Sequence, residues 1–101
     1  SNQERAAMAS PVTVSGTDGR KVVTFFVPVA PERYRYHVEL RRGTHQIFVE
    51  PDAQSFDGVG TFALLFSRGL EEGEYELRVE EIDRGSRETT SVSTFQFKVE
   101  E

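Results

Sequence analysis

A chain of 101 residues with 17 acidic and 12 basic side chains, a net charge of −5 and no cysteine has the size of one domain around one hydrophobic core. The acidic balance argues against duplex nucleic acid and anionic membrane surfaces as partners, because both demand clustered positive charge. The missing cysteine excludes disulfides, thiolate zinc sites and thiol catalysis from this chain and leaves the redox compartment open.

Residues 1–10, opening Ser1-Asn2-Gln3-Glu4-Arg5, are polar and read as a disordered linker or boundary segment, with any targeting signal or anchor left to sequence upstream. Residues 11–101 read as the folded domain. Val12 and Val14 alternate with polar neighbours, and Gly16-Thr17-Asp18-Gly19 supplies a reversal. Lys21 to Val29 is dense in β-branched and aromatic residues, and Pro28 and Pro31 close it because neither donates a ladder hydrogen bond. From Tyr34 the alternation is strict. Tyr34, Tyr36, Val38 and Leu40 fall on one face, with Arg33, Arg35, His37, Glu39 and Arg41 on the other, which is the period of a half-buried strand.

Arg42-Gly43-Thr44 then predicts a tight turn into a strand in which Ile47 and Val49 face inward and Gln46, Phe48 and Glu50 outward, ending at Pro51. Asp52 to Gly60 is loop chemistry, and Phe62, Leu64 and Phe66 mark the inward side of the next strand. Gly73 to Ile82 sets Tyr75, Leu77 and Val79 against Glu74, Glu76, Arg78 and Glu80. After a turn at Asp83-Arg84-Gly85-Ser86, the final strand begins between Glu88 and Thr94 and carries Phe95, Phe97 and Val99. Helical periodicity is confined to a single turn in residues 4–8, and no apolar run approaches the roughly 20 residues of a spanning helix. No direct membrane insertion is therefore expected of this fragment. About seven strands at this spacing predict an all-β, antiparallel β-sandwich.

The stretch Leu70-Glu71-Glu72-Gly73-Glu74-Tyr75-Glu76-Leu77-Arg78-Val79 resembles the corner that enters the sixth strand of immunoglobulin-like and fibronectin type III domains, where a leucine precedes a glycine and a tyrosine follows it by two. The resemblance implies an immunoglobulin-like sandwich in which the Tyr75 ring enters the core, its hydroxyl bonds a backbone group a few residues upstream, and Leu70 plugs the base beside Gly73. The chain departs from antibody domains in having neither paired cysteines nor tryptophan. From Val22 to Val99 its cadence is similar to the small sandwich that some bacterial proteins with a zinc-finger, anti-sigma-like cytoplasmic module carry outside the membrane. That resemblance implies a non-enzymatic module of a larger exported or anchored protein, in the periplasm or at the cell surface.

The residues offer no catalytic constellation, no cofactor motif and no metal set. His37 and His45, facing one another across the expected hairpin, lack a further ligand at zinc spacing and read as surface residues. Asp52 and Asp57 lack the ligand pattern of a calcium loop and read as a solvated turn. The acidic run Glu71, Glu72, Glu74, Glu76, Glu80 and Glu81 is open to a basic partner. A cross-strand ladder is the favoured account of it, because the immunoglobulin arrangement sets Arg33, Arg35 and Arg41 beside Glu74, Glu76 and Glu80. Phe48 and Phe56 are the exposed aromatics on which a carbohydrate-binding or adhesive reading rests.

The strongest functional signal lies in the sheet of the first, second and fifth strands, which is apolar on both sides. Val23, Phe25 and Val27 oppose Val22, Thr24 and Phe26, and Ala63 and Leu65 oppose Phe62, Leu64 and Phe66. A face that ought to alternate with polar residues but does not is expected to be covered. The N-terminal residues Ala6 to Met8 are one cover. Another is an interface through Phe26, Ala63 and Leu65 with a protein partner, a neighbouring domain of the parent chain or a second copy in a homodimer, and the third reading is singly exposed residues without a function. The expectation is a structural or protein-interaction module.

Overall fold

The computed structural model describes residues 12–17 and 19–100. These form seven strands and no helix: β1 (Thr13–Ser15), β2 (Lys21–Phe26), β3 (Tyr34–Arg42), β4 (His45–Glu50), β5 (Thr61–Phe66), β6 (Gly73–Asp83) and β7 (Thr89–Val99). They make two antiparallel sheets of a β-sandwich, ordered β1-β2-β5 and β4-β3-β6-β7.

The alternation in β3 and β6 decides the core. Tyr36, Val38 and Leu40 meet Glu81, Val79 and Leu77 in register, and the apolar members of that set are buried together with Tyr75, Phe95 and Val99. The three-stranded sheet closes over them with Val23, Phe25 and Phe62. Phe25 and Phe62 are register neighbours whose rings stack at 5.1 Å. Each such side chain taken out of water stabilises the fold by about 1.5–3 kcal/mol.

The entrance to β6 is locked from several directions. Tyr75 is buried, its ring stacks on Phe97 at 5.3 Å, and its hydroxyl donates to the Glu71 carbonyl at 2.6 Å. Leu70 packs against the core, and Arg42 reaches Glu71 at 2.5 Å across Gly73. Gly73 has φ +152°, and a Cβ there would lie 3.0 Å from Arg42 Cδ, so the glycine gives Arg42 its path to Glu71.

Two sequence expectations change. The second strand ends at Phe26 rather than Val29, although Val27 N and Val29 N still donate to Gly60 O and Val59 O. The larger change is in β4, where Phe48 turns inward and meets Phe66 edge-on at 5.8 Å, while Ile47 and Val49 are 38% and 40% exposed. The cause is an irregularity in the hairpin: Leu40 pairs with Phe48 but Arg41 with Gln46. Ile47 is the extra residue, and a bulge of one residue exchanges the faces of everything beyond it.

Candidate functional site

Outside the core the sandwich presents two faces. On the four-stranded sheet, β3 and β6 set Arg41 opposite Glu76, Glu39 opposite Arg78, His37 opposite Glu80 and Arg35 opposite Ile82. The expected ladder is thus present as a register but displaced. Arg41 is the only one of the three arginines beside an expected glutamate. Arg33 lies 3.7 Å from Asp83, and Arg35 donates to the Pro51 carbonyl. The close ion pairs run along single strands, Arg41 to Glu39 at 3.2 Å and Arg78 to Glu80 at 3.1 Å. Solvated pairs of this kind contribute about 0.2–1 kcal/mol each. Long arginine side chains lie along their own strand as readily as across it, which is why spacing alone misassigned the partners.

The other face is the outside of β1-β2-β5. Its register rows are Thr13 with Thr24, Ser15 with Val22, Val22 with Leu65, Thr24 with Ala63, and Phe26 with Thr61. None of these side chains is charged. Leu65 is 68% and Phe26 39% exposed, and Ala63 is exposed between them. The three interface residues named from sequence therefore share one face. Val22, half-buried beside Leu65, joins them and was legible as the outward partner of Val23. Ala6 to Met8, the alternative cover, lie outside the described residues.

The loop between β4 and β5 borders this face and is organised by one carboxylate. Asp57 Oδ1 accepts from Ser55 Oγ at 2.8 Å and from the amides of Val59, Gly60 and Thr61 at 3.0, 3.0 and 3.1 Å. The Thr61 side chain, then the Thr61 and Val59 amides, hold the carboxyl well below the usual carboxylate range. Asp57 thus spends its oxygen on backbone donors. Gly60 has φ +144°, where a Cβ would collide with the Val27 carbonyl, so only glycine joins this loop to β5. The same loop holds Phe56 and Val59 out at 73% and 61% exposure.

Two further titratable groups with displaced pKa values are also engaged by the fold. Tyr36 receives Ala30 N at 2.9 Å and donates to Glu81 Oε2 at 3.0 Å; burial, reinforced by that carboxylate, pushes its phenol up to about 12. Asp83 accepts from Ser86 N and Gly85 N at 2.8 and 3.0 Å, and the Ser86 amide foremost lowers its carboxyl. His37 sits opposite Glu80 and His45 opposite Arg42, so the two histidines do not face each other as expected. Among the described residues no three His, Asp or Glu side chains group as metal ligands. An open cleft of about 390 Å³ is lined by Lys21, Arg68, Leu70 and Glu72 and so mixes both charges. Phe48, assigned to the surface from sequence, is removed from any sugar platform by its inward turn.

Comparison of the sequence with known protein families and with curated proteins finds no match. The family resemblance therefore rests on the residues that carry it.

Proposed function

We propose that this chain is a non-catalytic structural or protein-interaction module that binds through the outer face of β1-β2-β5. The observation that carries the reading is the uncharged face on which Val22, Phe26, Ala63 and Leu65 meet solvent, in a chain whose other outer face is densely charged. Supporting it, the perturbed ionisable groups Tyr36, Asp57 and Asp83 are each bound to backbone or side-chain groups that hold loops in place, and Arg42 and Glu71 are paired with each other, so each is engaged in structure.

The Tyr75 corner and the strand order support an immunoglobulin-like or fibronectin type III-like class. The bacterial, extracytoplasmic setting and the larger anchored parent protein are proposed from the cadence of residues 22–99 alone.

The test is a double substitution, Phe26→Ser with Leu65→Glu, assayed against the flanking domains of the parent chain and against the chain itself. Association is expected to fall while the denaturation midpoint holds. An unchanged association would remove this face as the binding surface. Titration with glycans serves the rival carbohydrate reading, which requires chemical-shift changes at Phe56.

A further inference from the structure

Among the described residues the three-stranded sheet ends at β5, which pairs with β2 alone. Val27 N donates to Gly60 O at 2.9 Å, and hydrogen-bonded pairs in an antiparallel ladder recur at every second residue. The bonds to β2 are therefore made by Phe62, Leu64 and Phe66, opposite Phe25, Val23 and Lys21. The backbone groups of Thr61, Ala63 and Leu65 point to the open side. Those of Thr61 are taken, its carbonyl by Phe56 N at 3.0 Å and its amide by Asp57 Oδ1 at 3.1 Å. Ala63 and Leu65 turn their amides and carbonyls outward, with no backbone partner there among the described residues.

Folded proteins blunt such edges with charge, a bulge, proline or shortness. Here β1 is three residues long. Strand β4 carries the Ile47 bulge between His45 and Glu50. Strand β7 is irregular near Thr90 and runs beside the glutamates of β6. Strand β5, Thr-Phe-Ala-Leu-Leu-Phe, has none of these protections.

We infer that two copies of the chain join by antiparallel pairing of β5 with β5 about a twofold axis at Leu64, forming one six-stranded sheet. This rests on the protein-interaction reading and names the partner. The register follows from the free groups: Ala63 faces Leu65 of the second copy and Leu65 faces its Ala63, so four backbone hydrogen bonds form and the occupied Thr61 is spared. A small side chain then lies beside a large one on the outer face, and Leu64, half-buried at the rim of the core, meets its counterpart.

Charge agrees with this arrangement. Antiparallel pairing carries the Lys21 and Arg68 end of one copy past the Asp57 end of the other, and neither Lys21 nor Arg68 forms an ion pair among the described residues. Phe56, tied to the Thr61 end of the same edge, is brought against the turn that follows Phe66 in the second copy. So short a seam buries less than the ~800 Å² per partner of a standard interface, so the association is expected to be weak and concentration-dependent, with a dissociation constant on the order of tens of μM or above.

The experiment is sedimentation of the intact chain from about 1 μM to about 1 mM, with amide hydrogen exchange at both ends of that range. The mass is expected to double, and the amides of Ala63 and Leu65 to gain about tenfold protection at the high end while that of Val14, on the opposite edge, does not change. Leu65→Lys should weaken association at least about tenfold and leave the denaturation midpoint in place. A chain that stays monomeric at about 1 mM overturns the pairing and leaves binding to a neighbouring domain standing. Association with Ala63 and Leu65 unprotected, and abolished by Phe26→Ser, also overturns it while upholding the apolar face itself.

Discussion

On the four-stranded sheet the outward positions of β3 and β6 hold Arg35, His37, Glu39 and Arg41 against Ile82, Glu80, Arg78 and Glu76. On the three-stranded sheet the outward positions of β2 and β5 hold Val22, Thr24 and Phe26 against Leu65, Ala63 and Thr61. The inner sides are alike, each contributing fully buried residues such as Leu40, Leu77, Val23 and Phe62. The charged sheet shows that this sandwich folds with a wet outer face, so the fold itself does not demand the uncharged outer face of the other sheet, which is the face the proposed interface would cover. Solubility argues in the same direction, since a free apolar patch next to an unprotected edge invites association.

The comparison breaks most readily from the inside, where the two sheets should behave alike. Tyr75→Ala removes a buried ring and should cost about 3–5 kcal/mol in chemical denaturation. Tyr75→Phe removes only the bond to the Glu71 carbonyl, about 1 kcal/mol. Equal midpoints for Tyr75→Ala and the wild type would mean that this corner does not hold the sheets together.

Acid and alkali separate the two ends of the loop-bearing region. Asp57 is held below its unfolded pKa, so its stabilisation is present above about pH 4 and is lost as pH falls through the folded value. Tyr36 is raised to about 12, so its contribution is intact below about pH 10 and is lost as pH climbs toward 12. In Asp57→Asn the acid-side loss of stability should shrink. In Tyr36→Phe the tyrosinate absorbance step near 12 should vanish. A Tyr36 that titrates near 10 would contradict its burial beside Glu81.

The smallest effects lie on the outer faces and sharpen the contrast between them. Arg41→Glu places an acid between Glu39 and Glu76 and should cost about 0.2–1 kcal/mol, less at high salt. Leu65→Ser should stay within about 0.5 kcal/mol, because the side chain already stands in solvent. If Leu65→Ser destabilises more than Arg41→Glu, the exposed leucine belongs to the fold and not to an interface.

Period-two alternation was enough to locate the inward sides of β3 and β6, because each has a charged residue at nearly every outward position and only one orientation buries no charge. It was enough, too, to mark Phe26, Ala63 and Leu65 as a set, since an apolar strand with two apolar sides must turn one of them out. In β4 the pattern failed. Ile47, Phe48 and Val49 are all apolar, and the bulge that selects Phe48 lies in the pairing of Arg41 with Gln46, a relation between two strands that neither sequence segment contains. Ion-pair partners were hidden for a similar reason, because a flexible guanidinium reaches along its strand or across it at nearly equal cost. The role of Asp57 required the loop itself: one carboxylate oxygen bonds three amides only after Gly58, Val59 and Gly60 have folded around it. Local chemistry determined which segments are strands and which side of most of them is wet. Long-range register decided which strand edge stays open and which exposed residues stand together, because both depend on pairings made across the sheet.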